Sequence, residues 1–126
     1  MENLTIVATS RTPGIDLNYE TGTLTFRGRS MPENPRKFYK KSVKWVKEYV
    51  TNPNPPTTVN ISYEYISTAS SKSLIKILMI LSILADNIND ITFNWGYEEG
   101  DEDMLDMAAD FEEILGIKFN FITEKF

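Results

Sequence analysis

Four short segments alternate apolar and polar residues with a period of two: Leu24, Phe26 and Gly28; Val59, Ile61, Tyr63 and Tyr65; Ile91, Phe93 and Trp95; Ile117, Phe119 and Phe121. Successive side chains of an extended chain point to opposite faces, so each segment reads as a strand with one apolar face. A sheet covered on both sides would have near-continuous apolar strands. The polar set Asn60, Ser62 and Glu64, with Thr92 and Asn94, therefore predicts helices on one side only, the other side meeting solvent or a partner.

Three helical patterns lie between these strands. The first, residues 35–49, carries Phe38, Val43, Trp45, Val46 and Tyr49 among cations and ends before Pro53, Pro55 and Pro56. The second covers residues 70–87. The third, residues 102–115, gathers Met104, Leu105, Ala108, Phe111 and Leu115 near one face and stops at Gly116, a natural C-terminal cap. Thr21 and Gly22 read as the turn of an opening hairpin between residues 15–19 and the strand from Thr23. The order is hairpin, then helix and strand three times over. This predicts an α/β fold in which a mixed sheet carries about three helices on one face. With 126 residues and no visible linker or repeat, one domain spanning residues 1–126 is expected.

The chain has no cysteine and no histidine, which removes disulfides, thiol chemistry, thiolate metal sites and the commonest general base. Catalysis would be left to carboxylates, lysines and hydroxyls. The first residues carry no basic start or apolar signal stretch, and no run is expected to approach the roughly 20 apolar residues that cross a bilayer. A cytoplasmic protein with no membrane insertion is expected. A net charge of −5 speaks against nonspecific nucleic-acid binding. The charge is polarised. Residues 27–47 hold eight cations (Arg27, Arg29, Arg36, Lys37, Lys40, Lys41, Lys44, Lys47), whereas residues 98–113 hold nine carboxylates and no cation. Each cluster is either a solvated helix face or a surface that steers a charged partner.

Glu98, Glu99, Asp101, Glu102 and Asp103 could in principle hold a divalent cation, which would make the acidic segment 98–113 the site of a metal-dependent enzyme. No EF-hand spacing, Gly-rich phosphate loop or nucleophile elbow accompanies it, and an acidic helix start that complements the helix dipole accounts for the same residues. No catalytic residue, metal site or cofactor is expected.

The most informative stretch is Tyr65-Ile66-Ser67-Thr68-Ala69-Ser70-Ser71-Lys72, in which a strand ends and four hydroxyl residues open a helix. Thr68 reads either as the N-cap of that helix or as a functional hydroxyl. At about 100° per residue, Leu74, Ile77, Leu78, Leu81, Leu84 and Ala85 form the core face of the helix. The opposite arc holds Lys72, Lys76, Asp86 and Asn87, but with Ile75, Met79, Ile80 and Ile83 interleaved. A small domain has little protein left to cover a second apolar face. Lys72, Ile75, Lys76, Met79, Ile80 and Ile83 are therefore the expected partner-binding surface.

Thr12-Pro13-Gly14-Ile15, Gly28-Arg29-Ser30-Met31-Pro32-Glu33-Asn34, Phe38-Tyr39, Trp45 and Tyr49 resemble the SiaC family of bacterial regulatory phosphoproteins. The resemblance continues through the corner at Thr68 with Lys72, Trp95-Gly96-Tyr97 and Asp101-Glu102-Asp103-Met104, and so spans nearly the whole chain. It implies a single STAS-like domain with a phosphorylatable residue at the corner before a helix, here Thr68. It also implies a cognate serine/threonine kinase, a PP2C-type phosphatase and a diguanylate cyclase that the unphosphorylated form binds and activates, in c-di-GMP signalling and biofilm control. The commonest corner of the family is Asn-Thr-Ser-Ser; here Ser67 and Ala69 stand at its first and third places. The alternative within the same fold is an anti-anti-sigma role, in which the chain captures an anti-sigma kinase.

Overall fold

The computed structural model describes residues 1–87 and 90–126, apart from the side chain of Asn87, so the expected place of that residue on the outer helical arc lies outside the described residues. The strands are β1 (Leu4–Ile6), β2 (Gly14–Asn18), β3 (Thr23–Ser30), β4 (Thr57–Ile66), β5 (Ile91–Glu98) and β6 (Phe119–Glu124), and they form one sheet in strict chain order. The first three pair antiparallel; β3, β4, β5 and β6 run parallel. The parallel connections carry α1 (Pro35–Phe38) and α2 (Lys40–Tyr49), then α3 (Thr68–Leu81) continued by a 3-10 segment (Ser82–Asn87), then α4 (Glu102–Leu115). Crossovers between parallel strands share one hand, so a sheet that grows in one direction places all of these helices on the same face. The expected mixed sheet with helices on one side is the fold observed.

The core is the seam between that face and the helices. Leu24, Phe26, Val59, Ile61, Tyr63, Phe93, Trp95 and Phe119 point into it, and Trp45, Val46, Tyr49, Leu74, Ile77, Leu78, Leu81, Met104, Ala108 and Phe111 close it from above. α3 packs between α2 on one side and α4 on the other. The opposite face is polar. Asn120 Nδ2 donates to Asn94 Oδ1 at 3.2 Å and Asn94 Nδ2 to Asn60 Oδ1 at 2.9 Å, a ladder of side-chain amides across three strands. Arg27 pairs with Glu124, and Arg29 pairs with Glu64 at 2.8 Å. Gly96 belongs to this face because a Cβ there would lie 2.3 Å from Ser62 Oγ.

Several details depart from the pattern read in the sequence. The short strand β1 adds an edge ahead of the hairpin, and helix 35–49 is divided at Tyr39, whose ring is fully buried. Tyr65 does not share the apolar face of β4. The register shifts between Gly28 and Arg29, so Gly28 faces Tyr63 while Arg29 faces Tyr65; Glu64 is the extra residue, and the alternation inverts after it. Tyr65 is consequently exposed beneath the Arg29 guanidinium, and Ile66 is buried instead. Ile117 is buried just before β6, and Phe121 is exposed because β6 is an edge strand. Helix 70–87 begins at Thr68, and its α-helical part ends at Leu81; the tighter winding that follows keeps Leu84 buried but turns Ala85 outward. Gly116 caps α4 with φ 68°, as expected.

The expectation that no run approaches membrane-spanning length needs correction: Thr68–Asp86 covers 19 residues at a mean hydropathy of 1.5, enough by length and composition to cross a bilayer. Here that segment is the central helix of the layer, with Leu74, Ile77, Leu78, Leu81 and Leu84 seated on the sheet.

One buried polar feature ties the layers together. Ser30 Oγ donates to Ser70 Oγ at 2.9 Å, which uses its only proton. The 2.7 Å contact between Ser30 and Tyr39 is therefore donated by Tyr39, and the 2.9 Å contact between Tyr39 and Tyr63 by Tyr63. The chain of hydroxyls runs Tyr63, Tyr39, Ser30, Ser70, from β4 through the start of α2 and the end of β3 to the first turn of α3. Burial lifts the phenol of Tyr63 well above its ordinary value of 10.0, and Tyr39 adds to the shift both by its charge and by accepting the Tyr63 proton. Tyr39 is raised as well, by burial, against the opposing hydrogen bonds to Ser30 and Tyr63.

Because the folded pKa values lie above the unfolded ones, the stabilisation is fully present below the unfolded value and is lost as pH rises past about 10. Tyr63→Phe is expected to cost about 1 kcal/mol at neutral pH. Urea unfolding across the alkaline range should show a shallower loss of stability in this variant than in the wild type, and identical slopes would contradict the hydroxyl chain.

Candidate partner-binding face beside a hydroxyl-rich corner

β4 ends at Ile66, and the backbone turns at Ser67, whose φ of −69° and ψ of 158° are still extended. The Ser67 side chain accepts a hydrogen bond from the Ser70 amide at 3.1 Å, so Ser67 is the N-cap and Thr68 the first helical residue. The Ser67 N–H is fixed by the Ser30 carbonyl at 2.9 Å, and its hydroxyl donates to Ser70 Oγ at 3.0 Å. Ser71 Oγ donates to the Thr68 carbonyl at 2.6 Å. Three of the four hydroxyls at the corner are thus committed. Thr68 is exposed, and its hydroxyl has no hydrogen-bond partner among the described residues. Thr68 is not the cap of α3, because the residue before it performs that task.

Past the corner, α3 turns Leu74, Ile77, Leu78 and Leu81 into the core and presents its opposite side outward. Met79 is 52% exposed and Ile83 51%, and Lys72 and Lys76 stand beside them. Ile75 and Ile80 are half-buried on the two flanks and pack against the core, so they border the ridge rather than form its crest. At about 100° per residue, Thr68 and Met79 fall about 20° apart on the helix and about 16 Å apart along it. The free hydroxyl and the apolar ridge therefore share one line of sight.

The acidic segment serves α4 itself. Asp101 is the N-cap and accepts the Met104 amide at 3.2 Å, and Glu102 and Asp103 sit in the first turn, where the dipole favours them. Among the described residues no three carboxylates come together in a way that could hold a metal.

A groove of about 800 Å³ runs beside the ridge, between α1 and α2 on one wall and α3 on the other, and most of its lining side chains are cations. The clustering of cations over residues 27–47 hinted at it. The usable signal was the spacing of Lys40, Lys44 and Lys47 at i, i+4 and i+7, which puts them on one helical face.

Comparison with known proteins places this architecture. The family model for SiaC family regulatory phosphoproteins matches residues 6–124. An uncharacterized protein of Pseudomonas aeruginosa (strain UCBPP-PA14) is 26% identical over 119 residues, covering 94% of each chain. The structure of SiaC of Pseudomonas aeruginosa superposes with a TM-score of 0.87 at 24% identity, over 98% of this chain and 100% of that one. A chain in the crystal structure of diguanylate cyclase SiaD in complex with its activator SiaC, from the same organism, also gives a TM-score of 0.87, at 25% identity over 96% of this chain and 99% of that one. A one-sided mixed sheet with a hydroxyl corner before its central helix, matched over nearly its full length, means that the chain belongs to the SiaC family of regulatory phosphoproteins.

Proposed function

We propose that this chain is the threonine-phosphorylated switch of a cytoplasmic partner-switching pathway, whose unphosphorylated form binds and activates a diguanylate cyclase and so raises c-di-GMP. A serine/threonine kinase and a PP2C-type phosphatase set its state. Thr68 is the phosphoacceptor, and the outer side of α3 is the docking surface. The observation that carries this reading is the pairing of the one uncommitted hydroxyl at the corner with an exposed apolar ridge on the same side of the same helix. The complex of SiaD with its activator SiaC favours a cyclase as the partner over an anti-sigma kinase, which would use the same corner.

The physics of the switch follows from position. A phosphate on Thr68 adds about −1.5 to −2 charges at the N-terminal turn of α3, where free amides and Lys72, one turn on, stabilise it. The domain stays folded. A partner packed along Met79 and Ile83 extends over Thr68, since about 16 Å lies well within the footprint of a standard interface. That partner would have to bury the phosphate, which costs several kcal/mol unless it brings cations.

Two outcomes are expected. Incubation with the cognate kinase followed by mass spectrometry should give a single phosphate that disappears in Thr68→Ala; full modification of that variant, on Ser67, Ser70 or Ser71, would refute the assignment. Met79→Asp should weaken cyclase binding about 100-fold or more while leaving the melting temperature nearly unchanged, whereas Leu78→Asp, fully buried, should cost about 4 kcal/mol or more and unfold the domain. Equal destabilisation by both would show the ridge to be core.

A further inference from the structure

The groove between α2 and α3 is lined by Arg36, Lys37, Lys40, Lys44, Lys47 and Lys76, and no carboxylate lines it. The two ion pairs among the described residues, Arg27 with Glu124 and Arg29 with Glu64, use none of these six cations. Six like charges held along one groove repel one another, and an anionic occupant relieves that repulsion. We infer that this groove receives an acidic helical segment of the protein partner, whose carboxylates pair with Lys40, Lys44, Lys47 and Lys76 while its apolar side lies on the ridge of α3. The inference rests on the docking role proposed for α3 and adds the chemistry of what docks.

The form of the site selects this occupant. Lys40, Lys44 and Lys47 repeat at i, i+4 and i+7, spanning about 10 Å, so carboxylates at helical spacing on a partner meet them over two turns. Lys76 closes the opposite wall one turn before Met79, which makes the basic groove and the apolar ridge one continuous surface. An amphipathic helix with one acidic and one apolar side matches both halves. Nucleic acid matches the charge but not the ridge. Tyr39, the aromatic ring of the groove, is fully buried and offers no face for base stacking. The acidic stretch of residues 98–113 and the net charge of −5 also repel a long polyanion.

The test is a titration of the full chain with the cognate diguanylate cyclase at salt concentrations from about 50 to about 300 mM, Debye lengths of about 14 to 6 Å. Wild-type affinity should fall steeply with salt. K40E/K44E, two exposed positions, should bind about 30-fold or more weakly at the lowest salt and lose most of the salt dependence, with an unchanged melting temperature. Loss of binding in Met79→Asp together with unchanged affinity and salt slope in K40E/K44E would overturn the groove inference and leave the ridge standing; absence of wild-type binding would overturn both. Two controls name the competing occupants. Binding of a single-stranded oligonucleotide of about 20 residues that K40E/K44E abolishes would make the groove a nucleic-acid site. A salt-labile homodimer that the same variant dissolves would give the groove to the acidic α4 of a second copy.

Discussion

The constraint on which the rest depends is that this sheet has only one apolar face. With its strands in strict chain order, every parallel crossover passes over the same side, and the helices must share a single layer. α3 lies in the middle of that layer, flanked by α2 and α4, and its inner face is saturated by the sheet. Among the described residues no second layer covers its outer face. The exposure of Met79 on α3 and of Ile83 on the 3-10 segment that continues it follows from this topology, and Leu74, Ile77, Leu78 and Leu81 anchor α3 beneath Met79.

The start of that helix is tied to the sheet by hydrogen bonds. Tyr63, Tyr39, Ser30 and Ser70 form a buried relay of hydroxyls that links β4, α2 and β3 to the first turn of α3, and Ser67 adds the cap. A corner tied down in this way leaves Thr68 exposed, with no hydrogen-bond partner for its hydroxyl among the described residues. Under the proposed phosphorylation of Thr68, regulation acts on the interface alone: the charge of one side chain changes while the shape of the surface around it does not.

Much of this was legible in the sequence, where a single physical rule dominated. Period-two alternation gave the parallel strands, Gly116 gave the end of α4, and the conflict between a core face and an apolar outer arc marked α3. Where two rules competed, the pattern misled. Tyr65 reads as a core residue until the extra residue Glu64 inverts the alternation, and that shift is a property of the pairing with β3, invisible in β4 alone. Thr68 and Ser67 are both acceptable caps by composition; Ser67 is the one that caps, with its amide also bonded to the Ser30 carbonyl of another strand. Ala85 follows the helical period on paper but turns outward because the winding tightens after Leu81. The buried relay was hidden for a similar reason, since Ser30, Tyr39, Tyr63 and Ser70 are brought together only by tertiary packing.

The most direct test of the central claim is methyl NMR of the chain labelled at methionine and isoleucine, with the cognate diguanylate cyclase added. Met79 and Ile83 mark the outer ridge, and Ile122, 47% exposed and aligned with Gly96 on the open face of the sheet, marks the alternative surface. The expected result is that the Met79 and Ile83 methyl signals shift or broaden on addition of the cyclase while Ile122 does not, and that a chain phosphorylated at Thr68 shows no change at either place. A response at Ile122 with Met79 and Ile83 silent, or an unaltered response in the phosphorylated chain, would contradict it.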